Sequence, residues 1–314
     1  MAKILVTGGA GFIGSILSDQ LITDGHQVTI LDNLLSGQRD YVNDQADFWQ
    51  IDLGSEDLKE RFLAARFDLV FHLAAQIDVR KSVEDPAFDN QINVLAGLNL
   101  LEACRQSGVK KIIFSSTGGA IYGESDEIPT SEYAPAYPLS PYGINKLAFE
   151  KYLNYYYQVF GLNYTVLRFA NVYGPRQYKG GEAGVIAIFT EAAASDTACT
   201  LYGDGLQTRD FVYVDDVVDA LIKASQIDCR GEINISTGVE TSILDMIQAI
   251  EKAAGKKLLL NKEAARAGEQ RRSVLLNRRA LETLNWRPQV SLEEGVARAY
   301  HWVKSLKVAK NNLN

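Results

Sequence analysis

The fold is decided by the stretch Ile4-Leu5-Val6-Thr7-Gly8-Gly9-Ala10-Gly11-Phe12-Ile13-Gly14, near the start of a chain of 314 residues. Its first four residues predict a buried strand, and the pattern from Phe12 predicts a helix directly after it. Gly8, Gly11 and Gly14 permit a tight turn and a close approach of the backbone to a ligand. The first helical residues, Phe12 and Ile13, lie where unpaired N–H groups would bind a pyrophosphate. The stretch therefore predicts a dinucleotide-binding site.

The rest of the first half alternates short β-branched runs with amphipathic stretches. We expect strands at Ile4–Thr7, Val28–Asp32, Phe48–Ile51, Leu69–Leu73, Lys111–Ser116 and Tyr164–Phe169. The intervening helices are expected at Phe12–Thr23, Ser55–Ala65, Ala87–Gln106 and Pro141–Phe160. Such alternation predicts an α/β fold, a Rossmann-type doubly wound parallel sheet with helices on both faces.

The pattern becomes irregular after Arg168, which predicts a smaller C-terminal α/β domain for the substrate. Further helices are expected at Val185–Ala194, Val214–Ser225, Ser242–Ala254 and Ser291–Leu306, with strands at Thr200–Tyr202 and Ile233–Ile235. We expect residues 1–170 to form the dinucleotide-binding domain, with later returns near 211–237. Residues 171–210 and 238–306 are expected to form the substrate domain, and residues 307–314 a frayed tail.

Composition and charge restrict the class of protein. Apolar residues make up 46% and charged residues 23%, which is ordinary for a globular protein. The formal charge of −7 argues against nucleic acid or an anionic membrane as partner, and no stretch reaches the roughly 20 apolar residues of a membrane helix. Three scattered cysteines and three scattered histidines show no metal spacing, so no metal is expected. Because the chain enters a strand at once, we expect no signal peptide and a cytoplasmic protein.

The second predicted strand ends at Asp32, whose carboxylate bears on the form of the dinucleotide. A carboxylate there accepts hydrogen bonds from the adenosine ribose and repels a 2′-phosphate, which favours NAD over NADP. Arg39 would argue for NADP, but it lies well past the strand end. Asp52 and Leu53 follow the third strand, where they could meet the adenine; alternatively, Asp52 caps the next helix. Leu73-Ala74-Ala75 follows the fourth strand, where the cofactor would pass.

Tyr142 and Lys146 form the candidate catalytic pair. Ser140 at the N-cap and Pro141 at the first position begin their helix, which places Tyr142 near the carboxyl edge of the sheet. A spacing of four residues puts both side chains on one face, where an ammonium favours the phenolate of a tyrosine with a free pKa of roughly 10. The phenol can therefore exchange a proton with an alcohol or sugar hydroxyl. Ser115-Ser116-Thr117 ends the fifth strand at the same edge, so the pattern predicts redox chemistry at a carbinol carbon.

These motifs together resemble the extended short-chain dehydrogenase/reductase family, which includes the NAD-dependent epimerases and dehydratases. The resemblance covers Ile4 to about Val303. It includes the glycine turn, Asp32-Asn33-Leu34, His72-Leu73-Ala74-Ala75, Ser115-Ser116-Thr117, Tyr142-Gly143-Ile144-Asn145-Lys146, Arg168–Arg176 and Tyr202-Gly203-Asp204-Gly205 leading to Arg209-Asp210-Phe211. Within the family the chain resembles most the short UDP-glucose 4-epimerases, through Thr117–Glu124 and Gly268–Ser273.

The resemblance implies an enzyme that retains NAD, which is reduced and reoxidised within one turnover. Tyr142 would take the proton from the 4-hydroxyl of a UDP-hexose, and hydride would pass from C4 to the nicotinamide, giving a transient 4-keto sugar. Thr117 would bond the reacting oxygen, and Lys146 would hold the nicotinamide ribose. The implied cofactor-binding set also contains Asn33, Ser36, Gly37, Asn93, Ser115 and Phe169.

The implied substrate-binding residues are Thr117, Asn171, Val185, Tyr202, Arg209 and Arg266. Arg209 and Arg266 align with arginines that bind the diphosphate, to which the planar guanidinium is well matched. Tyr202 aligns with an aromatic residue that lies against the uracil. A homodimer joined through the helices Ala87–Gln106 and Pro141–Phe160 is implied as well.

Two departures from the longer epimerases concern the site itself. Ile77 stands where they carry a lysine, and Thr117-Gly118-Gly119 is one residue longer, which leaves Thr117 and Ser116 as alternatives for the working hydroxyl. Family members that dehydrate or decarboxylate the sugar carry acidic residues directly after this hydroxyl, whereas Gly118 and Gly119 have no side chain to titrate. The sequence therefore favours epimerisation of UDP-glucose and UDP-galactose. The alternatives are the same mechanism on a UDP-N-acetylhexosamine, UDP-glucuronate or a UDP-pentose, and, in another class, a nucleotide-sugar 4-ketoreductase.

Overall fold

Seven parallel strands form the central sheet of the structure, a computed structural model that describes residues 1–177, 184–265 and 270–311. The elements of the first half are β1 (Lys3–Thr7), α1 (Phe12–Thr23), β2 (Gln27–Leu31), β3 (Asp47–Trp49), α2 (Leu58–Ala65), β4 (Leu69–His72), α3 (Val79–Glu84), α4 (Pro86–Asn90), α5 (Ala96–Ser107), β5 (Lys111–Thr117), α6 (Gly118–Ile121), α7 (Pro141–Phe160) and β6 (Asn163–Phe169). A 3₁₀ turn at Arg39–Tyr41 and a π-helical turn at Gln91–Leu95 complete this half.

The second half contains shorter strands. Its elements are β7 (Asn171–Tyr173), α8 (Val185–Ser195), β8 (Cys199–Tyr202), β9 (Thr208–Arg209), β10 (Phe211–Tyr213), α9 (Val214–Gln226), β11 (Glu232–Ile235), β12 (Thr241–Ser242), α10 (Ile243–Ala254), β13 (Leu260–Glu263), β14 (Arg272–Ser273), α11 (Arg278–Leu284) and α12 (Leu292–Asn311). Only β11 of this half joins the main sheet among the described residues.

The strand order of the main sheet is β11-β6-β5-β4-β1-β2-β3, and every pair of neighbours is parallel. After β1 the chain adds β2 and β3 on one side of it, and then β4, β5, β6 and β11 on the other side. The direction in which strands are added therefore reverses between β1 and β4. In such sheets a ligand binds outside the carboxyl ends of the strands at this reversal. The predicted doubly wound parallel sheet is confirmed.

Apolar side chains cover both faces of the sheet, as a buried parallel sheet requires. On one face, Leu17 of α1, Leu221 of α9 and Trp286 lie in a single buried cluster. On the other face, Leu100 of α5 and Phe149 of α7 belong to a second cluster. Burial of each such side chain contributes about 1.5–3 kcal/mol, so these faces stabilise the sheet that presents the carboxyl edge.

A smaller lobe is built from short strand pairs and three helices. β7 pairs with β10 and β8 with β13, both in parallel, while β9 lies between β12 and β14. The helices α8, α10 and α12 pack around a third cluster that contains Phe189, Met246 and Tyr300. Phe12 and Ile13 pack against the same cluster, so the lobe borders the first turn of α1.

The predicted helix over Ala87–Gln106 is confirmed as a helical stretch from Pro86 to Ser107, but it contains a π-helical turn that the sequence did not predict. The Asp85 carboxylate caps the start of this stretch by accepting a hydrogen bond from Phe88 N at 2.9 Å, and the π-helical turn follows α4 directly. In this turn the Asn93 side chain accepts a hydrogen bond from Gln76 N at 3.0 Å and donates one to the Gln76 carbonyl oxygen at 2.9 Å. A π-helical turn inserts a residue into a helix and is frequently found at functional sites.

One helix start and one helix end differ from expectation. α2 begins at Leu58 rather than at Ser55. α12 continues to Asn311 rather than ending at Leu306, and Lys307 of this helix forms an ion pair with Glu191 of α8 at 3.0 Å, which ties the expected tail to the lobe. Within the described ranges, no helix has both the length and the apolar character to cross a membrane, and no cluster of three His, Cys, Asp or Glu side chains could hold a metal ion.

Candidate active site

The glycine turn after β1 is packed too closely to accept side chains. Gly8 has a φ of +71°, and a Cβ at this position would lie 2.7 Å from the backbone nitrogen of Ala74. A Cβ on Gly14 would collide with the Gly8 carbonyl oxygen. Gly11 is the N-cap of α1, and no side chain caps this helix start. The uncapped first turn therefore presents N–H groups to an anion, as a pyrophosphate requires.

The Asp32 carboxylate is fixed at the end of β2, beside this turn. Its two oxygens accept hydrogen bonds from Ala10 N at 3.0 Å and Leu34 N at 2.9 Å. Burial raises the pKa of Asp32, and the two N–H donors oppose that rise. A Cβ on Gly37 would lie 2.8 Å from Asp32 Oδ1, so the loop containing Ser36 and Gly37 passes directly over the carboxylate.

Asp52 is exposed and faces this region. Its Oδ2 accepts a hydrogen bond from Asn33 Nδ2 at 2.8 Å, and its Oδ1 accepts one from Gly54 N at 2.7 Å. Because α2 begins at Leu58, the alternative in which Asp52 caps that helix is wrong. The Leu53 side chain is buried in the core beneath the sheet edge.

The loop after β4 lies against the glycine turn. Leu73 N and Ala74 N both donate to Thr7 Oγ1 at 3.2 Å. Ala75 follows them in the same loop, and the next residue, Gln76, is held by Asn93. The predicted cofactor residues after β1, β2 and β4 therefore meet at one stretch of the carboxyl edge.

Tyr142 lies in the first turn of α7, as the sequence predicts. Ser140 Oγ caps this helix by accepting a hydrogen bond from Gly143 N at 3.2 Å, and Gly161 ends it in the left-handed conformation. Tyr142 N donates to Ser82 Oγ at 3.2 Å, which fixes the turn against α3. Lys146 follows on the same helical face.

The Lys146 ammonium is almost fully buried. Its Nζ donates to the Ser115 carbonyl at 3.0 Å and lies 4.7 Å from the centroid of the Phe114 ring and 5.9 Å from that of Tyr142. Burial lowers the pKa of Lys146 to about 8, and the negative charges of Asp89 and Glu150 oppose that fall. The group can therefore carry a positive charge beside Tyr142 at neutral pH.

Ser116 and Thr117 point to different sides at the end of β5. Ser116 is buried and donates to Glu150 Oε1 at 2.7 Å. Thr117 is half-buried at the edge, and its Oγ1 accepts a hydrogen bond from Ala120 N at 3.2 Å. Ser115 shares the Thr117 face, because side chains alternate along a strand. This geometry favours Thr117 over Ser116 as the hydroxyl that meets a ligand.

The substrate residues predicted in the smaller lobe are only partly brought together. Asn171 N donates to the Asp210 carbonyl at 2.9 Å, and Arg209 Nη1 donates to the carbonyls of Thr208 and Gln270 at 2.7 and 2.9 Å. Phe169 ends β6 opposite Thr117. Val185 begins α8 and Tyr202 ends β8, while Arg266 lies outside the described residues.

A buried polar network behind the site was missed by the sequence reasoning. Glu150 accepts hydrogen bonds from Arg168 Nε at 3.0 Å and Nη2 at 2.6 Å, and Arg168 Nη1 donates to Tyr122 OH at 2.9 Å. Burial raises the pKa of Tyr122 to about 12. Glu150 repeats the four-residue spacing of Tyr142 and Lys146, and this periodicity could have revealed it.

The chain is similar over nearly its whole length to characterised nucleotide-sugar enzymes. A sequence profile of the NAD dependent epimerase/dehydratase family matches residues 4–236. The UDP-glucose 4-epimerase of Mycolicibacterium smegmatis is 44% identical over 309 residues, which cover 96% of this chain and 99% of the relative. The crystal structure of UDP-glucose 4-epimerase from Thermotoga maritima with UDP-glucose is 44% identical with a TM-score of 0.95, covering 97% and 99% of the two chains. The Thermus thermophilus UDP-glucose 4-epimerase complex with NAD is 42% identical with a TM-score of 0.91, covering 96% and 99%.

Proposed function

Because this chain belongs to the NAD-dependent epimerase/dehydratase family, as its motifs predict, we propose that it is an isomerase that inverts C4 of a UDP-hexose. Its substrates are UDP-glucose and UDP-galactose, which interconvert through a transient 4-keto sugar, and its cofactor is tightly bound NAD. One observation supports this most: Tyr142 and Thr117 stand at the same carboxyl edge as the glycine turn, and the two residues directly after Thr117 are glycines with no side chain to titrate.

The carboxyl edge of the main sheet fits NAD. Gly8 and Gly14 allow the turn to pack closely, because a Cβ on either would collide with backbone atoms, and the uncapped start of α1 suits the pyrophosphate. Asp32 would accept hydrogen bonds from the ribose hydroxyls, and Arg39 lies with its guanidinium 4.7 Å over the Phe48 ring. Bound there, the dinucleotide supplies reversible two-electron hydride chemistry at the sugar C4.

The protein's own contribution to the chemistry is the control of one proton. Tyr142 removes the proton from the 4-hydroxyl as that carbon is oxidised, and returns it when the carbon is reduced. Lys146 favours the phenolate because its ammonium lies beside the ring. Thr117 donates to the reacting oxygen and orients it. Dehydration at C6 would need a further acid and base, and Gly118 and Gly119 provide neither.

The two parts of the chain have separate roles in this proposal. Residues 1–170, with the returns near 211–237, hold the dinucleotide. Residues 171–210 and 238–306 bind the nucleotide sugar through Asn171, Val185, Tyr202 and Arg209, together with Arg266. The guanidinium groups are the natural partners of the diphosphate.

Replacing Arg209 with Ala is expected to raise KM for the UDP-sugar about 10- to 100-fold, the range for a lost hydrogen bond to a charged group. The amount of retained NAD should not change, because Arg209 belongs to the smaller lobe. Arg272→Ala is the matched control, since Arg272 lies on the neighbouring strand β14 and is paired with Glu240 at 2.6 Å. Steady-state kinetics and NAD content would show this, and an unchanged KM for Arg209→Ala would remove Arg209 from the site.

The function itself is tested by incubating the purified protein with UDP-galactose, without added dinucleotide. UDP-glucose should form, and denaturation should release about one NAD per chain. Parallel reactions with UDP-N-acetylgalactosamine, UDP-glucuronate and a UDP-pentose would rank the alternative sugars. A 4-keto-6-deoxy product would contradict epimerisation, and a strict need for added NADH would point to the 4-ketoreductase.

A homodimer joined through α7 and the helical stretch over residues 87–106 is part of the proposal. The solvent face of α7 carries large apolar side chains at helical spacing, and they are 39–55% exposed: Ile144, Tyr152, Tyr155, Val159 and Phe160. Such a stripe on a 20-residue helix suits a second copy of the same helix. Light scattering in solution should therefore give about twice the chain mass of 34.7 kDa.

We place the enzyme in the cytoplasm. Cys104, Cys199 and Cys229 are all buried and free, which is typical of a reducing compartment. Fractionation of the native host would check this location.

A further inference from the structure

Asp89 is a buried carboxylate that the proposed reaction does not use directly. It lies in α4 with none of its surface exposed. Its Oδ1 accepts hydrogen bonds from Gln76 Nε2 at 2.8 Å and Asn93 Nδ2 at 3.1 Å, and its Oδ2 accepts one from Asn145 Nδ2 at 2.7 Å. Within the described part of the chain, all three of these donors are neutral amides, and no cationic side chain forms an ion pair with Asp89.

A second buried carboxylate, Glu150, lies one helical turn beyond Lys146. Its charge is already matched, because Arg168 binds it through two nitrogens and is itself only 4% exposed at its side chain. Arg168 therefore balances much of the charge of Glu150, which raises the pKa of Lys146 less than Asp89 does. Among the described residues Asp89 has no such partner, so its negative charge remains available to its surroundings.

The surroundings of Lys146 contain few other charges. His72 on β4 is neutral, because burial lowers its pKa to about 3, and its Nδ1 is hydrogen-bonded to Thr7 Oγ1 at 2.8 Å. The strand β5 offers only the Phe114 ring and the Ser115 carbonyl. On α7 itself, Tyr142 precedes Lys146, and Glu150, which is paired with Arg168, follows it. A buried ammonium is costly unless an opposite charge balances it.

We propose that Asp89 is the counter-charge of Lys146 and, through Asn145, a positioning residue for the catalytic turn. Its carboxylate keeps Lys146 protonated at the working pH. Its hydrogen bond to Asn145, the residue directly before Lys146, holds the turn between Tyr142 and Lys146 in place. The hydrogen bonds that it accepts from Gln76 and Asn93 also fix the loop after β4, beside the dinucleotide-binding site. The inference rests on the proposed function in that Tyr142 and Lys146 carry the proton transfer.

The substitution Asp89→Asn removes the charge with little change of shape. The Asn145 side-chain amide can rotate and still form a hydrogen bond with the new amide at position 89. Its bond to the Asn90 side chain, now from Asn90 Nδ2 at 3.0 Å, can be kept, because the Asn90 amide can rotate as well. Asp85→Asn is the matched control: Asp85 is exposed on the same helix, and Asn caps a helix as well as Asp does. Asp89→Ser, which leaves room for water to satisfy the amides, is the second variant.

Two readouts are compared on the holoenzyme, the pH profile of kcat with UDP-galactose and the NMR titration of labelled lysines, assigned with Lys146→Met. In Asp89→Asn and Asp89→Ser, the Lys146 midpoint should fall by about one pH unit or more from its value near 8, and the alkaline limb of kcat should move down with it. In Asp85→Asn both should stay within about 0.2 units.

The two failures can be told apart. An unchanged Lys146 midpoint in both Asp89 variants would overturn the inference, whatever the activity. A parent protein that does not epimerise UDP-sugars would overturn the proposed function, while the lysine titration would still report on the pairing of Asp89 with Lys146.

Discussion

The Tyr142→Phe variant is expected to lose C4 inversion by about 10²- to 10⁴-fold in kcat, the usual contribution of a positioned acid–base group. Phe keeps the ring but removes the oxygen that exchanges the proton with the sugar 4-hydroxyl. Because the ring still fills its place in the first turn of α7, the retained NAD and the KM for UDP-galactose should change little. Steady-state kinetics and the NAD released on denaturation would measure both.

Tyr152→Phe is the matched control for this loss. Tyr152 lies on the same helix, is 39% exposed and is not among the residues proposed for the site. Its kcat should equal that of the parent. Equal rates for Tyr142→Phe and the parent would contradict the assignment of Tyr142 as the acid–base group.

The Glu150→Leu variant is expected to lose about 3–5 kcal/mol of unfolding free energy, because it leaves the Arg168 guanidinium buried without a counter-charge. The lost contacts are the two hydrogen bonds from Arg168, at 3.0 and 2.6 Å, and that from Ser116 at 2.7 Å. Urea unfolding at pH 7, with equal NAD loading, would measure the difference.

The control for this loss is an exposed ion pair of similar length. Glu282 accepts from Arg278 at 2.7 Å on the surface of α11, so Glu282→Leu should cost less than about 1 kcal/mol. The double variant Glu150→Leu/Arg168→Met should recover much of the loss, since neither charge then remains. A Glu150→Leu variant as stable as Glu282→Leu would show that the buried pair does not stabilise the fold.

The parts of the fold that were predicted correctly depend on local patterns. The strand at Ile4–Thr7 is a continuous apolar run followed by glycines, and α7 has a serine cap at one end and a glycine at the other. Such signals involve neighbouring residues only, so one sequence is enough to read them. The two-residue strands β9, β12 and β14 are too short to show a period, and they exist because distant segments pair with them.

The same distinction between local patterns and distant contacts applies to the candidate site. The glycine turn and the pair Tyr142 and Lys146 are visible as spacings within one segment. Asp89 is different, because its amide partners come from the loop after β4, the π-helical turn and α7, and nothing in the local pattern around it predicts burial. The π-helical turn was missed for a related reason, since the apolar pattern of Ala87–Gln106 suits an uninterrupted helix and the insertion is held by Gln76 from elsewhere.

The parallel pairing of β7 with β10 has an evolutionary consequence. The chain leaves the main sheet through one of these strands and comes back through the other, with Asn171 opposite Phe211 and Tyr173 opposite Tyr213. The segment between them begins and ends at this strand pair, but its strand β9 pairs with β12 and β14 and its helix α8 shares a cluster with α10 and α12. A change of sugar preference by recombination would therefore require both parts of the smaller lobe to be exchanged together, while Asn171 and the dinucleotide half keep their positions.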